Sequence, residues 1–255
     1  MADSPTAEFA ALMARTNEPL PLDDALLLIA AHATPGLDRP AERERLDRLA
    51  AGITEGSLTG LRARLFDEVG FTGDRVTYYD PQNSMLPAVV ERRMGIPITL
   101  AAVAMEVGRR CGVVLEGVAM PGHFLLRRPR DVDRYIDVFN GGRELDTAGC
   151  RDLFHQVQPG VPWSVDLLGT ATPALMVERV LGNLAEAYRR SGNRHGLCWS
   201  LQLALYLPSA TDRQRRELGV LLGASGRFDE GAAVLDGSRD ERDHRAAARL
   251  RARLN

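Results

Sequence analysis

The residues best suited to chemistry lie in the middle of the chain: His123, in Pro121-Gly122-His123-Phe124, and Asp137, in Tyr135-Ile136-Asp137. An imidazole exchanges protons near neutral pH, and a carboxylate beside it decides which ring nitrogen carries the hydrogen. Covalent chemistry needs a nucleophile as well, and the candidates are Thr99, Ser84 and Cys150, or an activated water. Thr99 is β-branched and lies past a helix start, whereas Cys150 falls in the first turn of a helix, where a thiol is made more acidic. Asn83, Ser84, Arg92 and Pro97 are expected to line the pocket. Each has a simpler reading beside that one. Asn83 or Ser84 caps a helix from Met85 to Met94; Arg92 and Arg93 bind an anion or a backbone carbonyl, or pair with Glu91 or another acid; His123 and Asp137 form a buried structural pair.

These groups are positioned by one helix and a few short strands. Pro97 opens the helix, where its missing N–H costs nothing. Leu100, Val103, Ala104, Val107 and Cys111 then repeat at the spacing of one buried face, while Glu106, Arg109 and Arg110 are expected to point away. Gly112 stands where a left-handed stop belongs. Val113 to Met120 and Phe124 to Arg127 read as strands broken by Pro-Gly just before His123, and Tyr135 to Phe139 reads as a third. Asn140-Gly141-Gly142 is a hairpin turn, and Arg127 to Arg134 a solvated hairpin end.

Helix, strand with His, strand with Asp is the order of the transglutaminase-like fold, which also contains papain-type chemistry. Asp80-Pro81-Gln82-Asn83-Ser84, Glu91 through Ile98, Pro121 through Leu125 and Ile136 through Gly142 together resemble the SirB-type transglutaminase-like family. Its members are labelled regulators of SirC expression and carry tetratricopeptide repeats after the core. The resemblance implies a Cys at the helix start, with His123 and Asp137 in the second and third places of a triad. That Cys falls at or beside Pro97, and Ile96, Pro97 and Ile98 offer no nucleophile. A second departure is Val138, where the family usually has Pro; it leaves Asp137 in place.

Composition bounds the reading. The 255 residues are 45% hydrophobic and 26% charged with net charge -2, the profile of an ordinary globular protein and not of a nucleic-acid binder with a basic stripe. The sequence holds no Lys, a bias that reads as coding composition. Cys111, Cys150 and Cys198 are odd in number and widely spaced, so neither a disulfide framework nor a zinc site is expected. No metal, no cofactor, no signal peptide and no membrane span is expected, and the default location is the cytoplasm.

Around the core, Ser4-Pro5 opens a helix through Met13, Asp23-Asp24 begin one reaching about Ala33, and Asp38 with Pro40 begin another carrying Leu46 and Leu49. Leu58 to Val69 makes a fourth, closed by Gly70, and Val76 to Tyr79 is a short apolar run. His32 reads as a packed histidine. Asp146 or Thr147 starts a helix to about Val157, and Gln158 to Thr172 reads as a connector. In the last third, Leu184-Ala185, Tyr188 and Gly192 return as Leu218-Gly219, Leu222 and Gly226, a step of 34 residues, which is the tetratricopeptide period. The expectation is an α+β, mostly helical protein: residues 1–168 hold a helical start and a transglutaminase-like (papain-like) core with a small antiparallel sheet, and residues 169–255 a tetratricopeptide-like array. Two functions are open. One is a non-catalytic binding or regulatory module with a protein or peptide partner. The other is a hydrolase or acyltransferase acting on amide or thioester bonds, with His123 as base and Asp137 orienting it.

Overall fold

A computed structural model of the chain describes residues 4–15 and 19–253. It divides into two compact units: Pro19–Val180, and Leu181–Asn255 together with the chain's start up to Glu18.

In the chain's start, α1 (Pro5–Met13) has the expected cap, with the Ser4 hydroxyl accepting from the Ala7 N–H. In the Pro19–Val180 unit, α2 (Leu22–Ala33), α3 (Arg39–Ala50), α4 (Leu58–Arg62) and α5 (Leu86–Arg92) precede the helix α6 (Pro97–Arg110). Between them, Ala63–Glu68 continues α4 as a wider π-helical turn. Two-residue strands β1 (Thr72–Gly73) and β2 (Met94–Gly95) pair in parallel. The helix α6 begins at Pro97 as expected, and Gly112 takes its left-handed stop at φ 74°. It is the central element. α2, α3, α4 and α5 touch it, as do β4 and the turn after β5 introduced below, so nearly its whole length is buried.

That enclosure overturns one expectation. Glu106 and Arg110 do not face water: Glu106 is 5% exposed, because α2 and α3 cover that side of the helix. The cost of burying charge is offset by pairing. Glu106 accepts from Arg110 at 2.8 Å and Arg109 at 2.9 Å, and Arg110 reaches Asp23 at 2.7 Å and Asp47 at 2.6 Å.

The second layer is a five-stranded antiparallel sheet made of β3 (Glu116–Val118), β4 (Leu125–Arg127), β5 (Tyr135–Asp137), β6 (Arg143–Leu145) and β7 (Thr170–Ala171), in the order β6-β5-β4-β3-β7. The strands are shorter than the apolar runs. Val114 is 65% exposed, and β5 stops at Asp137, where Val138–Asn140 tightens into a 3₁₀ turn. The Val76 to Tyr79 run is a loop, with Val76 93% exposed. Gly141 and Gly142, at φ 72° and 69°, make the expected hairpin between β5 and β6. α7 (Thr147–Val157) is capped by Asp146, which accepts from the Gly149 N–H. The connector read from Gln158 to Thr172 contains β7, which pairs with β3; the sheet therefore runs past residue 168, and the units divide at Val180 instead.

The division falls within α8 (Pro173–Ser191). In the other unit α9 (Arg194–Ala204), α10 (Asp212–Ala224), α11 (Phe228–Asp236) and α12 (Glu241–Arg251) pack in sequence, α9 on α10, α10 on α11, α11 on α12. The 34-residue step is visible in the turns: Gly192 and Gly226 both take positive φ, and α9 and α11 start one step apart at Arg194 and Phe228. Among the described residues, no helix is long and apolar enough to cross a membrane.

Candidate functional site

His123 follows a turn in which Gly122 takes φ 76°, and its N–H returns to the Met120 carbonyl at 3.1 Å, which places it two residues before β4. Asp137 ends β5, the neighbouring strand, so antiparallel pairing brings the two side chains together. Nε2 of His123 lies 2.8 Å from Oδ1 of Asp137. Both are buried, His123 at 7% and Asp137 at 0% exposure.

The other carboxylate oxygen is occupied as well. Oδ2 of Asp137 accepts from Asn140 Nδ2 at 2.5 Å and from Arg143 Nε at 3.1 Å, the latter lying opposite Asp137 in the β5–β6 ladder. Burial on its own would raise the Asp137 carboxyl, but the bond and charge of His123, the Asn140 amide and the Arg143 guanidinium outweigh it and hold the group below the usual carboxylate range. An ionised carboxylate only accepts, so Nε2 carries the hydrogen, and in the neutral ring Nδ1 keeps its lone pair. The pair thus has the arrangement of a base and its orienting acid.

Phe139 packs around this pair. Its ring stands perpendicular to the imidazole at 5.8 Å and 6.3 Å from the Tyr78 ring, with the Arg75 guanidinium over it at 5.2 Å. Arg75 also donates to Oδ1 of Asn140, which links it to the Asp137 network. The helix start reaches the same ring through β1: Gly73 pairs with Gly95, and a Cβ on Gly73 would lie 2.4 Å from Phe139.

Among the described residues, no hydrogen bond links Ser84, Thr99 or Cys150 to the imidazole. Pro97 and its neighbours Ile96 and Ile98 are buried at the start of α6. Thr99 is fully buried, and among the described residues its hydroxyl has no hydrogen-bond partner. Cys150 is fully buried against Tyr135, Leu153 and Phe154. Burial, then the charges of Asp137, Asp146 and Asp133, push its thiol up to about 12, opposite to the direction expected from a helix start.

Asn83 and Ser84 do not cap α5, whose cap position is Met85, with no side-chain bond. They lie in a 3₁₀ turn, Pro81–Ser84, and Asn83 turns inward, where its amide donates to Asp74 at 3.0 Å and to the Thr77 carbonyl at 2.8 Å. Asp74 is the hub of this loop. Its carboxylate also accepts from the Val76 and Thr77 N–H groups at 3.0 and 2.7 Å and from the Thr77 hydroxyl at 2.5 Å. Burial opposes ionisation there, but the bonds from Thr77, Asn83 and Val76 hold the group at about 2. Arg92 faces Asp74 and Asp80, each at 3.6 Å, so its acids are these and not Glu91. Asn83 and Arg92 therefore brace the loop carrying Arg75 and Tyr78, and bear on the site through it.

Sequence reasoning missed Asn140, Arg143, Arg75, Phe139 and Asp74 as members of this network. Asn140 was legible as a turn residue, and Arg143 follows from it once the hairpin register is known. Among the described residues, no three His, Cys, Asp or Glu side chains are grouped to hold a metal.

A family model described as the transglutaminase-like superfamily matches residues 26–182. A UPF0162 protein of Xylella fastidiosa (strain 9a5c) is 38% identical over 189 residues, covering 68% of this chain and 66% of its own length. A UPF0162 protein of Pseudomonas aeruginosa is 35% identical over 185 residues, covering 69% of this chain and 68% of its own length. F-box only protein 21 of Mus musculus is 33% identical over 148 residues, 54% of this chain and 22% of that protein. The match therefore spans about two thirds of the bacterial relatives and a much smaller part of the mouse protein. No solved structure matches. With more than half its length covered by that family model, and with an imidazole and a carboxylate held by adjacent strands beside a buried helix, the chain belongs to the transglutaminase-like superfamily.

Proposed function

We propose that this chain is a non-catalytic binding or regulatory module, in which a transglutaminase-like core keeps the His123–Asp137 pair as part of a recognition pocket and has lost the thiol step. The observation that carries this reading is the state of the nucleophile candidates. Pro97 stands where the family resemblance puts the Cys, and none of Ser84, Thr99 and Cys150 is bonded to the imidazole. A thiol held up to about 12 is not a nucleophile at neutral pH. The helical hairpins stepping by 34 residues support a tetratricopeptide-like reading of the C-terminal unit, which offers a surface to a protein or peptide partner. A cleft of about 330 Å³ among α9, α10 and α11, lined by Tyr206, Leu218, Leu222 and Arg227, suits such a partner. The regulatory role of the SirB-type family would follow from binding of this kind.

A second reading is favoured by one observation: the fixed tautomer of His123 leaves Nδ1 able to take a proton from a water. The chain would then hydrolyse an amide or thioester without a covalent intermediate. Incubation with a panel of peptide amides and acyl thioesters, read by mass spectrometry, separates the two. No turnover is expected; turnover that His123→Ala abolishes while the thermal midpoint is retained would overturn the binding reading.

A further inference from the structure

Arg179 of α8, within the Pro19–Val180 unit, stands over the Phe124 ring at 5.8 Å and is half-buried. Its hydrogen bonds go to two backbone carbonyls, His123 at 3.4 Å and Ala119 at 3.5 Å, at the long end of the useful range. Other half-buried arginines of this unit are answered by acids: Arg110 by Asp23, Asp47 and Glu106, and Arg92 by Asp74 and Asp80. Among the described residues, Arg179 has no carboxylate within ion-pair distance. A half-buried guanidinium held by two long bonds leaves most of its fork unused.

Tyr78 adds a second donor. Its hydroxyl makes no hydrogen bond among the described residues, and its ring meets Phe139, which His123 also meets. Both groups border His123, Arg179 through the His123 carbonyl and Tyr78 through the Phe139 ring that the imidazole also meets. Burial raises the Tyr78 phenol and lowers the Arg179 guanidinium, which the charges of Tyr78 and Glu178 draw back up. Asp137 is engaged by His123 at Oδ1 and by Asn140 and Arg143 at Oδ2. Arg75, over the same Phe139 ring, also lacks a carboxylate partner among the described residues. The surroundings of His123 thus combine two guanidiniums that have no carboxylate within ion-pair distance among the described residues with the rings of Phe139 and Tyr78.

We propose that Arg179 and Tyr78 anchor a carboxylate of the ligand taken beside His123, and that this ligand is an N-acylated amino acid or a peptide end with a free carboxylate. A planar carboxylate fits the guanidinium fork, and the aromatic rings accept an apolar side chain next to it. The inference rests on reading the His123 pocket as a ligand site.

The test uses the full chain labelled at histidine, with His123 ring signals assigned by their loss in His123→Gln. N-acetylphenylalanine and its neutral amide, N-acetylphenylalaninamide, are titrated in parallel. The acid is expected to shift the His123 signals with an affinity at least about tenfold above that of the amide, and Arg179→Gln to remove the difference. Equal affinity for acid and amide overturns the carboxylate anchor and leaves the pocket reading standing; binding of neither overturns both. Should Arg179→Gln fail to fold, Tyr78→Phe removes only a hydroxyl. It should weaken the acid by about threefold or more without changing the amide, and an unchanged acid affinity overturns the proposal.

Discussion

Asp137 offers one oxygen to His123 at 2.8 Å and surrenders the other to its own hairpin, so the imidazole has a single direction in which to donate. Replacing the carboxylate leaves an imidazole, an amide and a guanidinium without their acceptor. Asp137→Ala is therefore expected to cost about 3 kcal/mol, measured by urea unfolding at neutral pH. The folded group titrates below its unfolded value, so the wild type carries this contribution above the ordinary carboxylate range and loses it as pH falls through the folded value. The variant should lack that part of the acid dependence.

Asp74 gives a second acid-dependent contribution. Its folded value is about 2 against 3.8 for an unperturbed group, so the stabilisation is complete above about pH 5 and disappears as pH falls to 2. The amount is about 2 kcal/mol. Asp74→Asn should lower the urea midpoint at pH 7 and flatten the stability curve between pH 5 and 2. An unchanged curve would refute the role given to this loop hub.

Gly73→Ala tests the packing between the helix start and the pair. The added Cβ would lie 2.4 Å from the Phe139 ring, so the ring must move, and the imidazole rests against it. A loss of about 1–3 kcal/mol is expected, together with displaced His123 ring signals in NMR spectra.

Thiol labelling checks the state of Cys150. It is fully buried and held up to about 12, whereas Cys198 is half-buried. Native labelling with iodoacetamide, read by peptide mass spectrometry, should modify Cys198 first and Cys150 only after denaturation. Rapid native modification of Cys150 would restore it as a nucleophile candidate.

His123, Asp137, the Pro97 helix start and the Asn140-Gly-Gly turn were legible because each depends on local signals: a proline, a break, a turn, a short apolar run. Glu106 and Arg110 were misread because periodicity treats charge as exposed, and while Glu106 is paired by Arg109 and Arg110 on its own helix, the Asp23 and Asp47 that answer Arg110 come from helices far away in sequence. Asp74 and Arg92 belong to the same class, since nothing near Asp74 announces that Arg92 will face it. β7 was hidden for another reason: two residues that only complete a sheet edge carry no alternation to detect.

Apart from His123, the partners of Asp137 stand three and six residues after it, inside one hairpin. The carboxylate is therefore supported by a cassette of neighbouring sequence and owes little to the residue that opens α6. A substitution at Pro97 thus acts on a different part of the structure from one at Asn140 or Arg143, and only the latter removes a bond to the carboxylate.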